Sequence, residues 1–373
     1  MTTTFQFHMP TRIMYGPGAS GSSLGELIAS ENILIISDPF LYKNGTAQRI
    51  GEGLSGRKAY FSNVEPNPSC DSVDEAARLA RDFGASCIIG LGGGSAMDIA
   101  KIVACLATNP GSIYDYFSGG TSKFSTRTAQ LVLIPTTAGT GSEVTNVGVY
   151  TDHKKGRKLP MVDPSFWADI ALVDPELTHT MPKGVTASTG IDAFAHAIES
   201  YWNQNSNPLS DMLGMKAMKL VMDNLRTACT SPDDIEARGS MSLASVLAGV
   251  AFGQTRTTGP HAIGYPLTTD YGLSHGEACA LTLPAFIKRS HQKREAKMKE
   301  LATFLGFLGI QELAEGVESL MRDVGLRLRL SDAGVTQQDL DKLADIGLSV
   351  PTIFLSPAEM NKDTVMELLQ SVL

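Results

Sequence analysis

Short apolar runs alternate with amphipathic segments along the first half of the chain. Residues 33–37 (ILIIS), 87–91 (CIIGL) and 131–134 (LVLI) are each apolar and short enough for a buried strand. Between the first two runs, residues 72–83 repeat apolar side chains at helical spacing, and a second helix is predicted over residues 97–107. This alternation predicts a largely parallel sheet covered by helices, with ligands bound beyond the carboxyl ends of the strands.

The pattern changes after Asp174-Pro175, where strand signals nearly vanish and helical periodicity takes over. We predict an α/β dinucleotide-binding domain over residues 1–180 and an all-helical metal-binding and substrate domain over residues 181–373. A length of 373 residues is ample for two ordinary cores. Helices are predicted over residues 190–202, 210–225, 235–252, 279–290, 295–305, 310–324, 336–346 and 362–372.

Two glycine-rich turns follow predicted strands. Residues 92–95 (GGGS) lead into a helix for which Ser95 is the predicted N-cap. Bare backbone N–H groups at a helix N-terminus form a site for phosphate. Residues 135–143 (PTTAGTGSE) carry hydroxyls among small side chains, which suits a loop around a ribose or a pyrophosphate. Either could be an ordinary turn that binds nothing, but their proximity in the chain favours a ligand.

Four residues of the second half could bind a divalent metal ion. Asp192 and His196 stand at i and i+4 in TGIDAFAHAIES, so their side chains leave one face of a helix. His261 and His275 follow in HAIGYPLT and GLSHGE. Three imidazoles and a carboxylate suit Fe²⁺ or Zn²⁺. Asp192 and His196 by themselves are also compatible with an Asp near a helix N-terminus and a hydrogen-bonded core His that bind no metal. The upstream phosphate pattern favours a metal that polarises a substrate oxygen beside a nicotinamide, in a cleft between the halves.

Composition and charge exclude several classes of protein. The net charge is −8 and charged residues make up 19%, with no long basic block, which argues against nucleic acid as a partner. The short basic cluster Lys154, Lys155, Arg157 and Lys158 is typical of a solvated turn. No apolar run reaches the roughly 18 residues of a membrane span, and no signal peptide is recognisable, so we expect no membrane association. Five scattered cysteines without C-x-x-C predict reduced thiols and a cytoplasmic location.

Together these motifs resemble the iron-containing (group III) alcohol dehydrogenases. GGGSAMDIAK, PTTAGTGSEVT, TGIDAFAHAIES and the pair His261 and His275 occur in that family's order and approximate spacing. The resemblance implies an α/β N-terminal Rossmann-like domain plus an all-α C-terminal domain, the dehydroquinate synthase-like architecture. It also implies Fe²⁺, with Zn²⁺ as the alternative, together with NAD(P) and a homodimer or higher homo-oligomer. The implied metal ligands are Asp192, His196, His261 and His275.

The resemblance further implies the residues that contact the cofactor. Asp38 stands where NAD-preferring relatives carry an acid, and a carboxylate there accepts from ribose hydroxyls and repels a 2′-phosphate. We therefore expect a preference for NAD(H) over NADP(H). The implied pyrophosphate contacts are Gly93, Gly94 and Ser95. The implied adenosine and ribose contacts are Thr136, Thr137, Thr140 and Ser142. Asp98 and Lys158 are further implied cofactor contacts.

Two positions bear on the chemistry of the substrate. Tyr265 stands where many relatives have a histidine thought to help move a proton, and unshifted Tyr is a poor base. The proton route is left open between the Tyr265 hydroxyl, a ribose-and-water chain, and solvent. The string TRTTGPHAIGYPLT resembles the 2-hydroxyethylphosphonate dehydrogenase branch, which reduces phosphonoacetaldehyde. Arg256 could pair with a phosphonate or sulfonate, or could bridge a helix end.

The expected function is reduction of a small aldehyde, with an anionic C2 aldehyde such as phosphonoacetaldehyde favoured. A general short-chain alcohol, diol or lactaldehyde oxidoreductase is the alternative. A dehydroquinate synthase-like NAD-using lyase is the alternative of another class, and the absence of a Lys/Arg-rich substrate signature disfavours it. A metal-free maleylacetate reductase or a regulatory protein without chemistry is disfavoured because all four ligand types are present.

Overall fold

The computed structural model describes residues 4–22, 24–28, 30–117, 120–153 and 157–373. By its internal contacts the chain divides into two compact units. The sheet unit comprises Met9–Thr137 and Ser142–Thr178, and the helical unit comprises Ala138–Gly141 and His179–Leu373 with the N-terminal segment up to His8. Lys154 and Lys155 of the basic cluster lie outside the described residues.

A six-stranded parallel sheet forms the centre of the sheet unit, in agreement with the predicted α/β class. Its strands are β1 (Arg12–Tyr15), β2 (Asn32–Ser37), β3 (Arg57–Phe61), β4 (Cys87–Gly92), β5 (Gln130–Pro135) and β8 (Ile170–Val173), and an antiparallel hairpin contains β6 (Val147–Asp152) and β7 (Arg157–Val162). The order is β1-β8-β5-β4-β2-β3. The helices of this unit are α1 (Ala19–Ser22), α2 (Leu24–Leu27), α3 (Pro39–Lys43), α4 (Thr46–Glu52), α5 (Cys70–Phe83) and α6 (Gly94–Leu106).

The central strands are buried on both faces. Along β2, Leu34 and Ile36 belong to one apolar cluster, while Ile33 and Ile35 belong to a second. Alternate side chains of a strand point to opposite faces, so both faces of the sheet are covered. This explains why the strands appear in the sequence as continuous apolar runs instead of alternating ones.

The carboxyl ends of β2, β4 and β5 are neighbours. Ser37 pairs with Leu91, and Gly92 pairs with Pro135. From β2 the chain passes to the edge strand β3 and then returns to β4 on the other side of β2. That reversal is the switch point at which doubly wound sheets bind ligands. The predicted cofactor turns therefore begin at the edge of the sheet where such a ligand binds.

The prediction of Ser95 as an N-cap is wrong. Helix α6 begins at Gly94, Gly93 occupies the N-cap with extended backbone, and no side chain caps the helix. Gly92 has a φ of +149°, a conformation that side-chain-bearing residues rarely adopt, and it turns the chain early. Ser95 is thus the second residue of α6, and the first N–H groups of the helix are left without a side-chain cap.

The helical unit is built around one buried helix, α7. Helices α8, α9 and α11 pack against α7, and nearly every residue from Thr186 to Trp202 is buried. A helix surrounded in this way is apolar over most of its surface, and the charged side chains that it does bury need partners. The helices of this unit are α7 (Lys183–Trp202), α8 (Pro208–Thr230), α9 (Ile235–Thr255), α10 (Gly259–Tyr271), α11 (His275–Ala280), α12 (Leu283–His291), α13 (Glu295–Leu305), α14 (Ile310–Val324), α15 (Leu340–Ser349) and α16 (Lys362–Ser371).

Helix α10 is absent from the sequence-based prediction. Pro260 lies in its first turn, where a missing N–H costs nothing, but Pro266 lies inside the helix and removes a hydrogen bond. Ile263 and Leu267 are both fully buried, so burial of the apolar face outweighs the poor local propensity. No helix in the described part of the chain is long and apolar enough to cross a membrane.

Candidate functional site

Asp192 and His196 lie one turn apart on α7, and both are buried. Asp192 Oδ2 is 3.8 Å from His196 Nδ1, which also faces the carbonyl oxygen of Gly139 at 3.3 Å. Burial lowers the pKa of His196 to about 4, although the charge of Asp192 opposes that shift. The imidazole is therefore neutral near pH 7, and the neutral form is the one that binds a metal.

Helices α10 and α11 bring two further histidines to Asp192. His261 is the third residue of α10 and His275 the first residue of α11. A Cβ on Gly276 would lie 2.0 Å from the carbonyl oxygen of Ser188 on α7, so the close packing of α11 on α7 requires a glycine beside His275. Four residues offer ligand atoms that all lie within 4.8 Å of one another: Asp192, His261, His275 and Cys279.

Two buried polar atoms of this cluster face each other without a hydrogen bond. Asp192 Oδ1 and His261 Nε2 are 3.5 Å apart, and neither has a hydrogen-bond partner among the described residues. A tetrahedral metal ion with bonds of about 2.1 Å holds its ligand atoms roughly 3.4 Å apart. The donor set therefore fits a divalent metal ion, which would satisfy both atoms at once.

The charges around the cluster set its protonation. Burial alone would raise the pKa of Asp192, but the nearby imidazoles lower it well below its usual range. Burial also opposes the charged form of His261, yet Cys279 and Glu199 raise the pKa of that imidazole above its usual value. A metal ion must displace a proton from His261, so we expect metal binding to weaken as the pH falls.

Two residues at this site were not predicted: Cys279, which belongs to the cluster whereas His196 does not, and Glu199, which contacts the cluster. Glu199 is fully buried on α7 and contacts His261 Nδ1. It lies three residues after His196, so helical periodicity was the signal that could have identified it. Cys279 Sγ lies 4.0 Å from both ring nitrogens of His275, and burial raises the pKa of the thiol to about 11. We find no sequence signal that marks Cys279.

A cavity of about 820 Å³ in the helical unit is lined by residues of the cluster. Asp192 and His275 form part of its wall, as does Arg327. The Arg327 Nη1 donates to Glu277 Oε1 at 2.9 Å, and the Arg327 side chain is 45% exposed. The wall thus combines candidate metal ligands with the ion pair of Arg327 and Glu277, whose guanidinium reaches solvent, and this combination suits a small polar ligand.

Arg256 and Tyr265, the predicted substrate residues, occupy different places in the helical unit. Arg256 follows the last residue of α9 with a φ of +73°, its carbonyl oxygen accepts from Asn203 Nδ2 at 3.0 Å, and burial lowers the pKa of its guanidinium. The Tyr265 ring stacks on the His275 ring with centroids 6.0 Å apart. Burial raises the pKa of the Tyr265 hydroxyl, so it is an even poorer base at neutral pH. Neither residue lines the cavity described above.

Three predicted cofactor residues lie close together at the end of the sheet: Asp38, Gly93 and Thr137. A Cβ on Gly92 would lie 3.5 Å from Asp38 Oδ2, and one on Gly93 would lie 3.5 Å from the Thr137 side chain. Thr137 Oγ1 is buried without a hydrogen-bond partner among the described residues. These groups surround the N-terminus of α6, where Gly94 begins the helix. Its uncapped N–H groups and positive end fit the pyrophosphate of a dinucleotide.

Asp98 and Ser142 bind each other within the sheet unit. The Ser142 Oγ donates to Asp98 Oδ1 at 2.7 Å and accepts from Lys101 Nζ at 2.7 Å. Asp98 Oδ2 accepts from the Val149 N–H at 2.9 Å. Both predicted cofactor residues therefore take part in a buried network around Lys101, and their contact with a cofactor remains a prediction.

The last three predicted cofactor residues are dispersed. Thr136 is buried at the end of β5, and its N–H donates to the Gly92 carbonyl oxygen at 2.9 Å. Lys158 lies on β7, paired with Thr151. Thr140 belongs to the helical unit and lines its cavity together with Asp192. The sheet-unit site and the cavity thus each contain some of the predicted residues.

Both parts of the chain match profiles of one protein family. Residues 10–175 match iron-containing alcohol dehydrogenase, and residues 186–373 match the Fe-containing alcohol dehydrogenase family, C-terminal. Sulfoacetaldehyde reductase of Bilophila wadsworthia is 33% identical, covering 98% of this chain and 98% of that protein. Long-chain-alcohol dehydrogenase 1 of Geobacillus thermodenitrificans is 37% identical, and the match covers 85% of this chain and 82% of that protein.

Solved structures show the same similarity over the full length. Sulfoacetaldehyde reductase from Bifidobacterium kashiwanohense, solved in complex with NAD⁺, has a TM-score of 0.94 and 34% identity and covers 99% of both chains. A 1,3-propanediol oxidoreductase has a TM-score of 0.91 and 29% identity and covers 100% of both chains. The similarity therefore includes both the glycine turn and the histidine cluster.

Proposed function

This chain belongs to the iron-containing alcohol dehydrogenase family, and we propose that it reduces a small anionic C2 aldehyde to the corresponding alcohol. Its reaction class is that of the NAD-dependent alcohol dehydrogenases, which leaves the lyase alternative without support. The observation that carries the proposal is the cavity wall, where Asp192 and His275 stand with the guanidinium of Arg327. Relatives named as sulfoacetaldehyde reductases agree with it.

Sulfoacetaldehyde and phosphonoacetaldehyde share the chemistry that such a site would recognise. Each has an aldehyde and a tetrahedral oxyanion on a two-carbon unit, so a guanidinium can hold the tail by charge-assisted hydrogen bonds. Arg256, from its sequence context, and Arg327, from the cavity wall, are the two candidates for this role. We favour an anionic tail and treat the choice between sulfonate and phosphonate as an outcome of the test.

The protein's own residues have distinct parts in this reaction. Asp192, His196, His261 and His275 would hold an Fe²⁺ ion, or Zn²⁺ as the alternative. The bound ion supplies a Lewis acid for the substrate oxygen. The N-terminus of α6 would bind the cofactor pyrophosphate, and Asp38 would favour NAD(H) over NADP(H). Tyr265 borders His275, and its raised pKa makes it a hydrogen-bond donor instead of a base.

The cytoplasmic location and the oligomeric state of the protein remain predictions. All five cysteines are buried free thiols, which agrees with a reducing, cytoplasmic location. A homodimer or higher homo-oligomer is expected from the family resemblance stated above. Size-exclusion chromatography with light scattering would measure the oligomeric state directly.

A substrate panel tests the proposed function. Sulfoacetaldehyde, phosphonoacetaldehyde and propionaldehyde would be compared by loss of NADH absorbance, and kcat/KM should be highest for an anionic aldehyde. Arg256→Ala and Arg327→Ala should be measured separately. Loss of a charge-assisted contact worth about 1.5–3 kcal/mol would raise KM for the anionic aldehyde roughly 10- to 100-fold and leave KM for propionaldehyde nearly unchanged. If removal of an arginine raises KM equally for the anionic aldehyde and for propionaldehyde, that arginine has a structural role.

A general short-chain alcohol or diol oxidoreductase is the second candidate. The 37% identity to a long-chain-alcohol dehydrogenase and the structural similarity to a 1,3-propanediol oxidoreductase favour it. A wild-type protein that reduces neutral aldehydes more efficiently than anionic ones would establish this alternative and reject the anionic C2 substrate.

A further inference from the structure

Glu199 is a fully buried carboxylate on α7 that the reaction described above does not use. It lies three residues after His196 and seven after Asp192, so all three side chains share one face of the helix. Burying a carboxylate is costly unless its oxygens accept hydrogen bonds. Its contacts therefore indicate its role.

Both oxygens of Glu199 are engaged. Oε2 accepts from the backbone N–H of Thr258 at 2.5 Å and from the Thr258 hydroxyl at 2.9 Å. Oε1 is in contact with His261 Nδ1. An ionised carboxylate can only accept hydrogen bonds, so His261 Nδ1 must carry the proton of this contact. In the neutral ring the lone pair is then on Nε2, the nitrogen that faces Asp192 Oδ1 at 3.5 Å.

We propose that Glu199 is a positioning residue that holds His261 in the Nδ1–H tautomer, with the Nε2 lone pair directed at the metal. The inference rests on the metal dependence in the proposed function. His196 offers a parallel, because its Nδ1 faces a backbone carbonyl oxygen, that of Gly139, at 3.3 Å. Of these two acceptors, Glu199 is the one that a substitution can change without moving the main chain.

Glutamine has nearly the same shape as glutamate but cannot make the same contacts. Its amide has one acceptor oxygen and one NH₂ donor, whereas Thr258 and His261 both present donors to residue 199. The Thr258 N–H is fixed in the backbone, so it continues to donate a hydrogen bond to the amide oxygen of the glutamine. The NH₂ group then faces His261 Nδ1, and the conflict is relieved when the ring proton moves to Nε2. A proton on Nε2 blocks the metal.

The test measures metal affinity directly. Metal-free wild type and Glu199→Gln would be titrated with Zn²⁺ and Co²⁺ against a competing chelator. We expect the dissociation constants to rise roughly 10- to 100-fold in the variant, and the visible absorption spectrum of bound Co²⁺ to change. Equal affinity in both proteins would reject the role of Glu199. Failure of the wild type to bind either metal would instead reject the proposed metal dependence.

Thr258→Val is the matched control. It removes the hydroxyl that donates to Glu199 and accepts from Trp202 Nε1 at 2.9 Å, but it keeps the backbone N–H and the contact with His261. Its thermal stability should fall, while its metal affinity should stay within about threefold of wild type. If it weakens metal binding as much as Glu199→Gln does, Glu199 acts by holding the start of α10 and the proposal is wrong.

A measurement on the wild type keeps the proposal testable if Glu199→Gln does not fold. Long-range ¹H–¹⁵N correlation spectra of Zn²⁺-loaded protein with labelled histidine distinguish the two tautomers of each ring. His261 should be protonated at Nδ1 and bound to the metal through Nε2. A metal-bound Nδ1 at His261 would overturn the inference.

Discussion

Both units bury charged side chains. The network around Lys101 in the sheet unit and the cluster around Asp192 in the helical unit differ in whether their polar atoms have hydrogen-bond partners. In the sheet unit, Lys101 Nζ donates to Ser142 Oγ at 2.7 Å, to Thr145 Oγ1 at 3.2 Å and to the Val147 carbonyl oxygen at 2.6 Å. In the helical unit, Asp192 Oδ1 and His261 Nε2 face each other at 3.5 Å and neither has a hydrogen-bond partner among the described residues.

The difference separates a structural network from a binding site. A buried charge whose hydrogen bonds are satisfied stabilises the arrangement around it, and removing one partner leaves the other uncompensated. Two buried atoms that lack partners and face each other cost free energy until a ligand arrives. A substitution in the first cluster should therefore reduce stability, whereas one in the second should abolish ligand binding.

His196→Ala should give the largest effect. The variant should lose its bound metal, and aldehyde reduction should fall on the order of 10³-fold, because the Lewis acid supplies several kcal/mol of transition-state stabilisation. Metal content after gel filtration and the rate of NADH oxidation measure the two effects. The metal-free variant should keep a cooperative unfolding transition, with a midpoint lowered only by the loss of the buried ring that stacks on Phe252. Full activity of the wild type after exhaustive chelation would contradict the metal site itself.

Lys101→Met should lower stability and leave metal binding unchanged, the reverse of what is expected for His196→Ala. Loss of the ammonium leaves the largely buried Asp98 carboxylate without its cation, 3.6 Å away in the intact pair, so the free energy of unfolding should fall by about 3–5 kcal/mol. Denaturant unfolding of the variant measures this loss, and Zn²⁺ affinity should be unchanged. A loss below about 1 kcal/mol would show that the network contributes little to stability.

Gly93→Ala should impair cofactor binding without impairing the fold. A Cβ at this position would meet only Thr137 atoms at 3.5 Å, an ordinary contact, but it would occupy space that the pyrophosphate needs. We expect the dissociation constant for NADH, measured by fluorescence titration, to rise about tenfold, or roughly 1.4 kcal/mol.

Gly92→Ala provides the contrast at the neighbouring position. Gly92 has a φ of +149°, and its Cβ would lie 2.9 Å from the Ala96 Cβ, so this variant should lower thermal stability. Equal stability in Gly92→Ala and Gly93→Ala, with unchanged NADH affinity in both, would mean that the glycine turn has no special role.

Asp38→Asn should give the smallest effect. The carboxylate caps α3 by accepting from the Leu41 N–H at 2.9 Å, and asparagine is an equally good cap, so the fold should be retained. Removing the negative charge should raise the ratio of kcat/KM for NADPH to that for NADH roughly fivefold, or about 1 kcal/mol at solvent-like screening. A wild type that already prefers NADPH would show that a base such as Lys43 dominates this pocket.

Local sequence patterns were informative where one segment carries the signal. The apolar runs of β2, β4 and β5 identified the parallel sheet, and the spacing of Asp192 and His196 placed both on one face of a helix. They failed where distant contacts override local preference. Helix α10 contains Pro266 and was not predicted, because its apolar face is stabilised by burial against other helices. The N-cap of α6 was predicted two residues too late, at Ser95 instead of Gly93, because the turn at Gly92 starts the helix early.

The sequence by itself determined the fold class and the family, and it predicted residues that would bind a metal and a dinucleotide. Ligand chemistry and periodicity are properties of local segments and indicated the fold class, whereas the family followed from the resemblance of several motifs in their order along the chain. Only the tertiary structure revealed that Glu199 contacts His261, which is 62 residues away along the chain, and that Gly276 lets α11 pack against α7. It also placed Arg327 in the same cavity wall as Asp192. Such juxtapositions depend on how helices pack, and no single segment of sequence encodes them.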